Sequence, residues 1–407
     1  MEEVSKRLIL FASTTGYQIR VFADAARRLG IDLTLATDHC HQLDDPWGDG
    51  ALAVKFDHRM AQSLEGLRGL EFDAVAAVGD LPAVAAAEAA EMLGIPFHPA
   101  AAARGCRDKY LARQLYRAAG MPTPWFFRAP LDADPHELAR RASYPCVLKP
   151  LGLSGSRGVI RANGDEEFVA AFRRIGKIGE RQLQVEHYIE GREFAVEGLV
   201  TAGRFEALAI FDKPDPLDGP FFEETIYVTP SREPQAVQTE LLETAARAVR
   251  ALGLRHGPVH AELRYNQEGA WMLEMHARPI GGLCAQALRF NGGVPLEELV
   301  LRHALGEDVP SARLDGPASG VMMIPIPKGG IYESVEGAER AAAVPGIEDV
   351  IITAKQGQRL VPLPDGSSYL GFLFARGESP EAVEEALRRS HAELRFHIAT
   401  ALETFKP

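Results

Sequence analysis

The sequence predicts an α/β fold built from more than one module and opened by a small parallel-sheet domain. Three observations carry this expectation. Over the first hundred residues, apolar extended runs alternate with amphipathic helical runs, the pattern of β-α-β units. Pro122 and Pro124 then mark an extended linker where a new module begins. Finally, 407 residues, at roughly 150 per domain, divide into two or three domains with ample core.

Taken in order, Arg7 to Ser13 reads as a strand, Gln18 to Leu29 as a helix stopped by Gly30, and the run from Ile31 as a second strand. The turn Ser13 to Gly16 hints only weakly at a phosphate loop, because hydroxyl-rich turns more often cap helices. A second cycle follows: an apolar run from Ala74 to Gly79, an alanine-rich helix to Leu93, and a break at Gly94 and Pro96. A helix is expected from Arg107 to Ala119. Beyond the linker come the strand CVLKP (146–150), a glycine-rich loop, a helix from Asp165 to Ile175, and the strand QLQVEHYI (182–189). Strands at 194–200 and 205–210, a helix at 236–252, and the extended runs PVHAELRY and AWMLEMHA complete the middle of the chain. Gly and Pro punctuation after Leu305 suggests another boundary, and the tail alternates extended runs with an amphipathic helix from Pro380 to Ile398. The expected division is 1–105, 106–305 and 306–407, with a smaller lobe at about 120–190.

The formal charge of −12 disfavours a broad footprint on nucleic acid or anionic membrane. No run approaches the ~20 apolar residues that span a bilayer, and the N-terminus reads as a strand rather than a signal peptide. Cys40, Cys106, Cys146 and Cys284 show no CxxC spacing, which argues against zinc or disulfide frameworks and fits a reducing cytoplasm.

Three stretches carry chemistry. In VLKPLGLSGSRGV, Lys149 ends a strand ahead of a loop with Ser154, Gly155, Ser156 and Gly158. Such a loop can bring backbone N–H groups to anionic oxygens beside a fixed positive charge, although it is not a Walker A loop. Taken alone, it is structural about as often as functional. In QVEHYIEGREF, Glu186 and Glu193 flank the Gly191 break, and a solvated acidic turn is the plainer reading. In HAELRYNQEGAWMLEMHARP, Glu262 and Glu274 fall on two runs joined by a turn. Paired as a hairpin, these carboxylates would face each other and need a cation between them. His276 and Arg278 continue the same strand parity. Ordinary surface charges are an even alternative for this stretch alone.

Together, in this order and spacing, the three stretches resemble the ATP-grasp superfamily of carboxylate-amine ligases, from Asp108 to Asn291. The resemblance implies a Rossmann-like leading domain, a two-lobed ATP-grasp core and a small C-terminal α+β domain. It makes Lys109 and Lys149 the nucleotide-phosphate lysines, with the loop of Ser154, Gly155, Ser156 and Gly158 closing over the phosphates. Glu186 and the backbone through Ile189 would hold adenine, and Glu193 the ribose. Glu262, Glu274 and His276 would be the metal-binding positions for Mg2+, with Mn2+ as the alternative, and His276 stands where the family usually has Asn. Arg278 matches the arginine that stabilises the acyl-phosphate and tetrahedral intermediates. The stretches FDKPDPLDGPFFEETIYVTPS and ARPIGGLC, with the tail from Tyr369, look like bacterial L-amino-acid ligases, which join amino acids into dipeptides. The implied co-substrate is ATP, and the implied partners are a small carboxylate and a small amine, with neither nucleic acid nor membrane. Relatives are often dimers, which leaves a homodimer open. Biotin-carboxylase-like and purine-pathway enzymes of the same superfamily, and a nucleotide-binding protein without turnover, are the rival readings. By resemblance, Glu223, Glu224, Gly281 and Gly282 would lie near the acceptor site. Arg289 divides between binding a carboxylate and a surface ion pair, and His256 and His260 read as packing or surface histidines.

Overall fold

In the computed structural model, residues 5–13, 18–38, 51–307, 309 and 312–400 are described. The Thr14–Gly16 part of the expected phosphate-like turn, together with Cys40, lies outside them. The leading sheet is parallel, with β1 (Arg7–Ala12), β2 (Asp32–Thr37), β3 (Leu52–Ala53) and β4 (Ala74–Val78) in the order β3-β2-β1-β4. Its crossovers include α1 (Gln18–Leu29) and α2 (Met60–Leu64), and α3 (Asp80–Leu93) follows β4. Every residue of β4 is buried, as expected for a parallel strand covered on both faces.

The helix expected from Arg107 to Ala119 starts two residues later, at Lys109, and a separate helix precedes it. α4 (Ala100–Arg107) ends where Asp108 turns extended, and that aspartate caps α5 (Lys109–Ala118) by accepting from the N–H groups of Tyr110 and Leu111. The cap sets Lys109 at the first position of α5. The smaller lobe is an antiparallel sheet ordered β5-β8-β6-β7, from β5 (Phe126–Pro130), β6 (Cys146–Pro150), β7 (Ile160–Ala162) and β8 (Gln182–His187). It is backed by α6 (Pro135–Ala139) and α7 (Asp165–Gly176).

An eight-stranded antiparallel sheet forms the centre, ordered β13-β12-β9-β10-β11-β16-β20-β18. Five of its strands precede residue 305: β9 (Arg192–Thr201), β10 (Arg204–Lys213), β11 (Ile226–Thr229), β12 (Gly257–Asn266) and β13 (Gly269–His276). α8 (Gln235–Leu252) interrupts them. After the short ribbon β14 (Arg289–Phe290) and β15 (Val294–Pro295), and α9 (Leu296–Ala304), the chain adds β16 (Ala318–Ile324), β18 (Ile347–Ile352) and β20 (Gly371–Gly377) to the same sheet. The sheet therefore runs unbroken through the expected boundary at 305. A three-stranded sheet of β19 (Arg359–Leu360), β17 (Gly330–Glu336) and β21 (Arg395–Ala399) packs with α10 (Ala338–Ala342) and α11 (Pro380–Ala392). The final helix is shorter than expected. It ends at Ala392, because Arg395–Ala399 pairs with β17 as a strand. Among the described residues, no helix is long and apolar enough to cross a membrane.

Candidate active site

Strand register builds the site. β9 lies between β10 and β12, so Glu193 has Lys213 as its cross-strand neighbour on one side and Arg264 on the other. Both neighbours bond it: Lys213 Nζ lies 2.8 Å from Glu193 Oε1, and Arg264 Nε lies 2.9 Å from Oε2. Four residues along, Glu197 faces His260, and their side chains are paired. On β12 and β13, Glu262 lies opposite Glu274 and His260 opposite His276, which is the hairpin the sequence predicts. Period-2 alternation then sends these side chains to one face.

That face floors a cavity of about 500 Å³. One wall is the smaller lobe, through Val147, Lys149 and Glu186 to Ile189. Another is the end of the leading sheet, through Ser13, Gly79 and Asp80, and the roof includes Ser154 to Ser156 and Ser367 to Tyr369. Arg278, Gly281, Gly282, Cys284 and Phe372 also line it. Gly158 lies just behind the loop with φ +72°, and a Cβ there would meet Pro150 at 2.7 Å. Its N–H donates to Pro364 O at 2.8 Å, and Arg157 donates to Asp365 O at 3.0 Å, so the glycine loop rests on the C-terminal module.

Thus Lys109, Lys149, Ser154, Gly155, Ser156, Glu186, Ile189, Glu193, Glu262, Glu274, His276 and Arg278 converge on one cavity. Their partners qualify their expected roles. The Glu186 carboxylate is taken up by Lys149 Nζ at 2.6 Å, Arg113 Nε at 2.7 Å and Gln184 Nε2 at 2.8 Å. It therefore anchors Lys149, and in the backbone expected at adenine the N–H groups of His187 and Tyr188 donate to Trp125 O and Pro145 O, each at 3.0 Å. Burial opposes the charge of Glu186, yet Arg113 and Lys149 bring its pKa down to about 2. Lys109 Nζ donates to Leu153 O at 2.6 Å and lies 3.2 Å from Glu274 Oε2, which ties the glycine loop to β13. The Ile189 carbonyl accepts from Arg264 at 2.7 Å.

Glu193, Glu224 and Glu262 bring one oxygen each within 4.8 Å of one another. Lys213 already supplies their cation: it pairs with Glu193 and Glu224 and lies 4.0 Å from Glu262. Burial pushes Glu262 up, but Lys213, with His260 and His276, holds it well below the usual carboxylate range. Glu224 is pushed up by burial against the pull of Lys213. Of Glu223 and Glu224, only Glu224 lines the cavity. Arg289 takes its surface reading, in an ion pair with Glu348 at 3.3 Å. His256 stacks on His303 with ring centroids 4.2 Å apart. His260 departs from the packing reading: it lines the cavity, and although burial opposes its charge, Glu197 and Glu262 raise its pKa to about 9.

Five residues of this site escape the sequence reading: Asp80, Arg113, Glu197, Lys213 and Arg264. Some carried a signal. Arg113 is four residues after Lys109 on one helical face. Asp80 follows an all-apolar strand at the carboxyl end of a parallel sheet, where α/β sites collect. Lys213 ends a long apolar strand. Glu197 and Arg264 become visible only with register.

Comparison with known proteins agrees with this architecture. Residues 142–287 match the ATP-grasp domain, and residues 322–399 match L-amino acid ligase C-terminal domain 2. The crystal structure of L-amino acid ligase from Bacillus licheniformis superposes with a TM-score of 0.84 at 25% identity, covering 98% of this chain and 100% of that one. An uncharacterized protein of Sinorhizobium fredii is 25% identical over 299 residues, which is 72% of this chain and 62% of that protein. A D-alanine–D-alanine ligase of Pseudomonas putida is 27% identical over 196 residues, 46% of this chain and 60% of the ligase. The matches thus span about 60% of the length of these curated relatives. With its smaller antiparallel lobe, its carboxylate hairpin and the module that follows them, the chain contains an ATP-grasp domain over residues 142–287 and an L-amino acid ligase C-terminal domain over residues 322–399.

Proposed function

We propose that the protein is an ATP-dependent carboxylate-amine ligase that activates a small carboxylate, an amino acid, as an acyl phosphate and couples it to an amine. The observation that carries this reading is the convergence of Lys109, Lys149, Glu262, Glu274 and Arg278 on one cavity, roofed by the glycine loop and the C-terminal module. A substrate carboxylate oxygen attacks the γ-phosphorus of ATP, the bond to the ADP oxygen breaks, and an acyl phosphate forms. The amine nitrogen then attacks the acyl carbon, loses a proton, and expels phosphate.

Lys149 and Lys109 sit where they can neutralise phosphate oxygens in line with that attack, and Ser154 to Ser156 can donate from above. Glu193 is proposed at the ribose, and the backbone of His187 to Ile189 at adenine. Facing carboxylates on paired strands suit a hard divalent cation, so Glu262 and Glu274 would hold Mg2+. Bound there, the cation would offset the negative charge of the phosphates. Arg278 would stabilise the oxyanion of the tetrahedral intermediate. The roof, with the loop resting on Pro364 and Asp365, would keep water from the acyl phosphate. Cytoplasmic residence belongs to the same proposal, supported by the buried free thiols of Cys106, Cys146 and Cys284.

The test is release of ADP and phosphate from Mg·ATP against single and paired amino acids, with mass spectrometry of the products. Pair-dependent release with a product mass equal to the pair less water is expected. Release that depends on bicarbonate or a ribotide, and on no amino acid, would move the protein to the biotin-carboxylase or purine-pathway branch.

A further inference from the structure

β13 ends with two donors on one side of its backbone. Glu274 and His276 are two residues apart and both line the cavity. His276 Nε2 lies 3.7 Å from Glu274 Oε2, within the about 4.2 Å that two metal–ligand bonds can span. Lys109 Nζ contacts the same oxygen, so a cation binding there takes over the counter-charge that Lys109 now supplies.

The other ring nitrogen is committed. His276 Nδ1 lies 2.9 Å from Oδ1 of Asp80, the first residue of α3 in the leading domain. The same Asp80 oxygen accepts from Arg278 Nε at 2.8 Å, so this carboxylate serves as the acceptor between two donors. With the guanidinium already donating to that oxygen, the hydrogen of the His276 bond sits on Nδ1. The approach of Arg278 to Nδ1 at 3.4 Å then sets donor against donor and is no hydrogen bond. In the neutral ring the lone pair is left on Nε2, on the side of Glu274. A carboxylate bonded to one imidazole nitrogen while the other faces an acidic donor is the arrangement that orients metal-ligating histidines.

We propose that His276 is a nitrogen ligand of the divalent cation, that Asp80 is the positioning residue fixing its tautomer, and that the site consequently favours Mn2+ or Co2+ over Mg2+. This rests on the ligase reading above. Imidazole nitrogen binds first-row transition ions, Co2+ more strongly than Mn2+, whereas Mg2+ prefers an all-oxygen shell.

The experiment is pulsed EPR of the full-length protein with Mn2+ and ADP, read for coupling of the electron spin to nitrogen. Expected are a nitrogen-14 modulation in the natural protein, its conversion to a nitrogen-15 pattern on labelling with 15N-histidine, and its loss in His276→Asn. Asp80→Asn, whose amide can turn its N–H toward Nδ1, should weaken Mn2+ binding about 10-fold or more. Bound Mn2+ without histidine coupling, or coupling that survives in His276→Asn, overturns the proposal while leaving the ligase reading intact. Absence of any nucleotide-dependent Mn2+ binding would instead remove the ligase reading, and this proposal with it. Should His276→Asn not fold, the labelled natural protein and His260→Gln, which should retain the coupling, decide between the two histidines that face the acidic floor.

Discussion

Glu186 is 2% exposed and carries its charge between Arg113, itself 2% exposed, and Lys149. A buried carboxylate in that position is stable only while its cations remain. Arg113 also donates to Met272 O at 2.7 Å, so it joins the smaller lobe to the central sheet. Arg113→Met should therefore cost about 3–5 kcal/mol, read as a lower urea midpoint, and a loss under about 1 kcal/mol would sink this account. The pH dependence has a definite sign. The folded pKa of Glu186, about 2, lies below its ordinary 4.5, so its contribution is present above pH 4.5 and is lost as the pH falls toward 2. In Arg113→Met that acid-side decline should begin at higher pH. Residue types carried part of this legibly. Lys149, Glu262 and Glu274 were readable because charges at strand ends in a hairpin demand partners, whereas Arg113 and Glu197 looked like any other helix or strand charge until packing buried them.

Among elements, the glycine loop is the most constrained. Gly158 holds φ +72°, a region that costs side chains about 1–2 kcal/mol, and an added Cβ would lie 2.7 Å from Pro150 and 2.9 Å from Ile178. Gly158→Ala should lower stability by about 1–3 kcal/mol and raise the KM for ATP more than it lowers kcat, because the loop would no longer seat against Pro364. Thermal unfolding together with steady-state kinetics checks this, and unchanged KM would show that the loop does not contact the nucleotide. Element types were largely legible. CVLKP is a strand over the expected residues 146–150, and the helix expected at 236–252 runs Gln235–Leu252. The failures have local causes. The helix expected from Arg107 starts at Lys109 because the Asp108 side chain caps it there, and the last helix stops short because pairing with β17 outweighs helical amphipathicity beyond Ala392.

For the whole molecule, the three expected units 1–105, 106–305 and 306–407 are proposed as sequence modules that do not separate on folding. One buried cluster joins Leu8 and Leu10 of the leading sheet, Phe211 of the central sheet, and Met323 and Phe372 from beyond residue 305. The central sheet also needs β16 to cover the edge of β11. A chain ending at residue 305 should therefore aggregate rather than fold as a monomer, measured by size-exclusion chromatography and circular dichroism. A monomeric, cooperatively unfolding fragment would show that the C-terminal module is an appendage.

The sequence by itself determined the α/β class, the order of the elements, the smaller lobe and the hairpin that opposes Glu262 to Glu274, because hydrophobic period, turn residues and motif spacing are local properties. Only the tertiary structure decided which charge meets which. Lys213 reaches Glu193 through strand register, Arg113 reaches Glu186 from a helix 73 residues earlier, and Asp80 reaches His276 and Arg278 from the start of α3, almost 200 residues away. Those pairings are set by register, crossover and packing, and chain spacing carries no record of them.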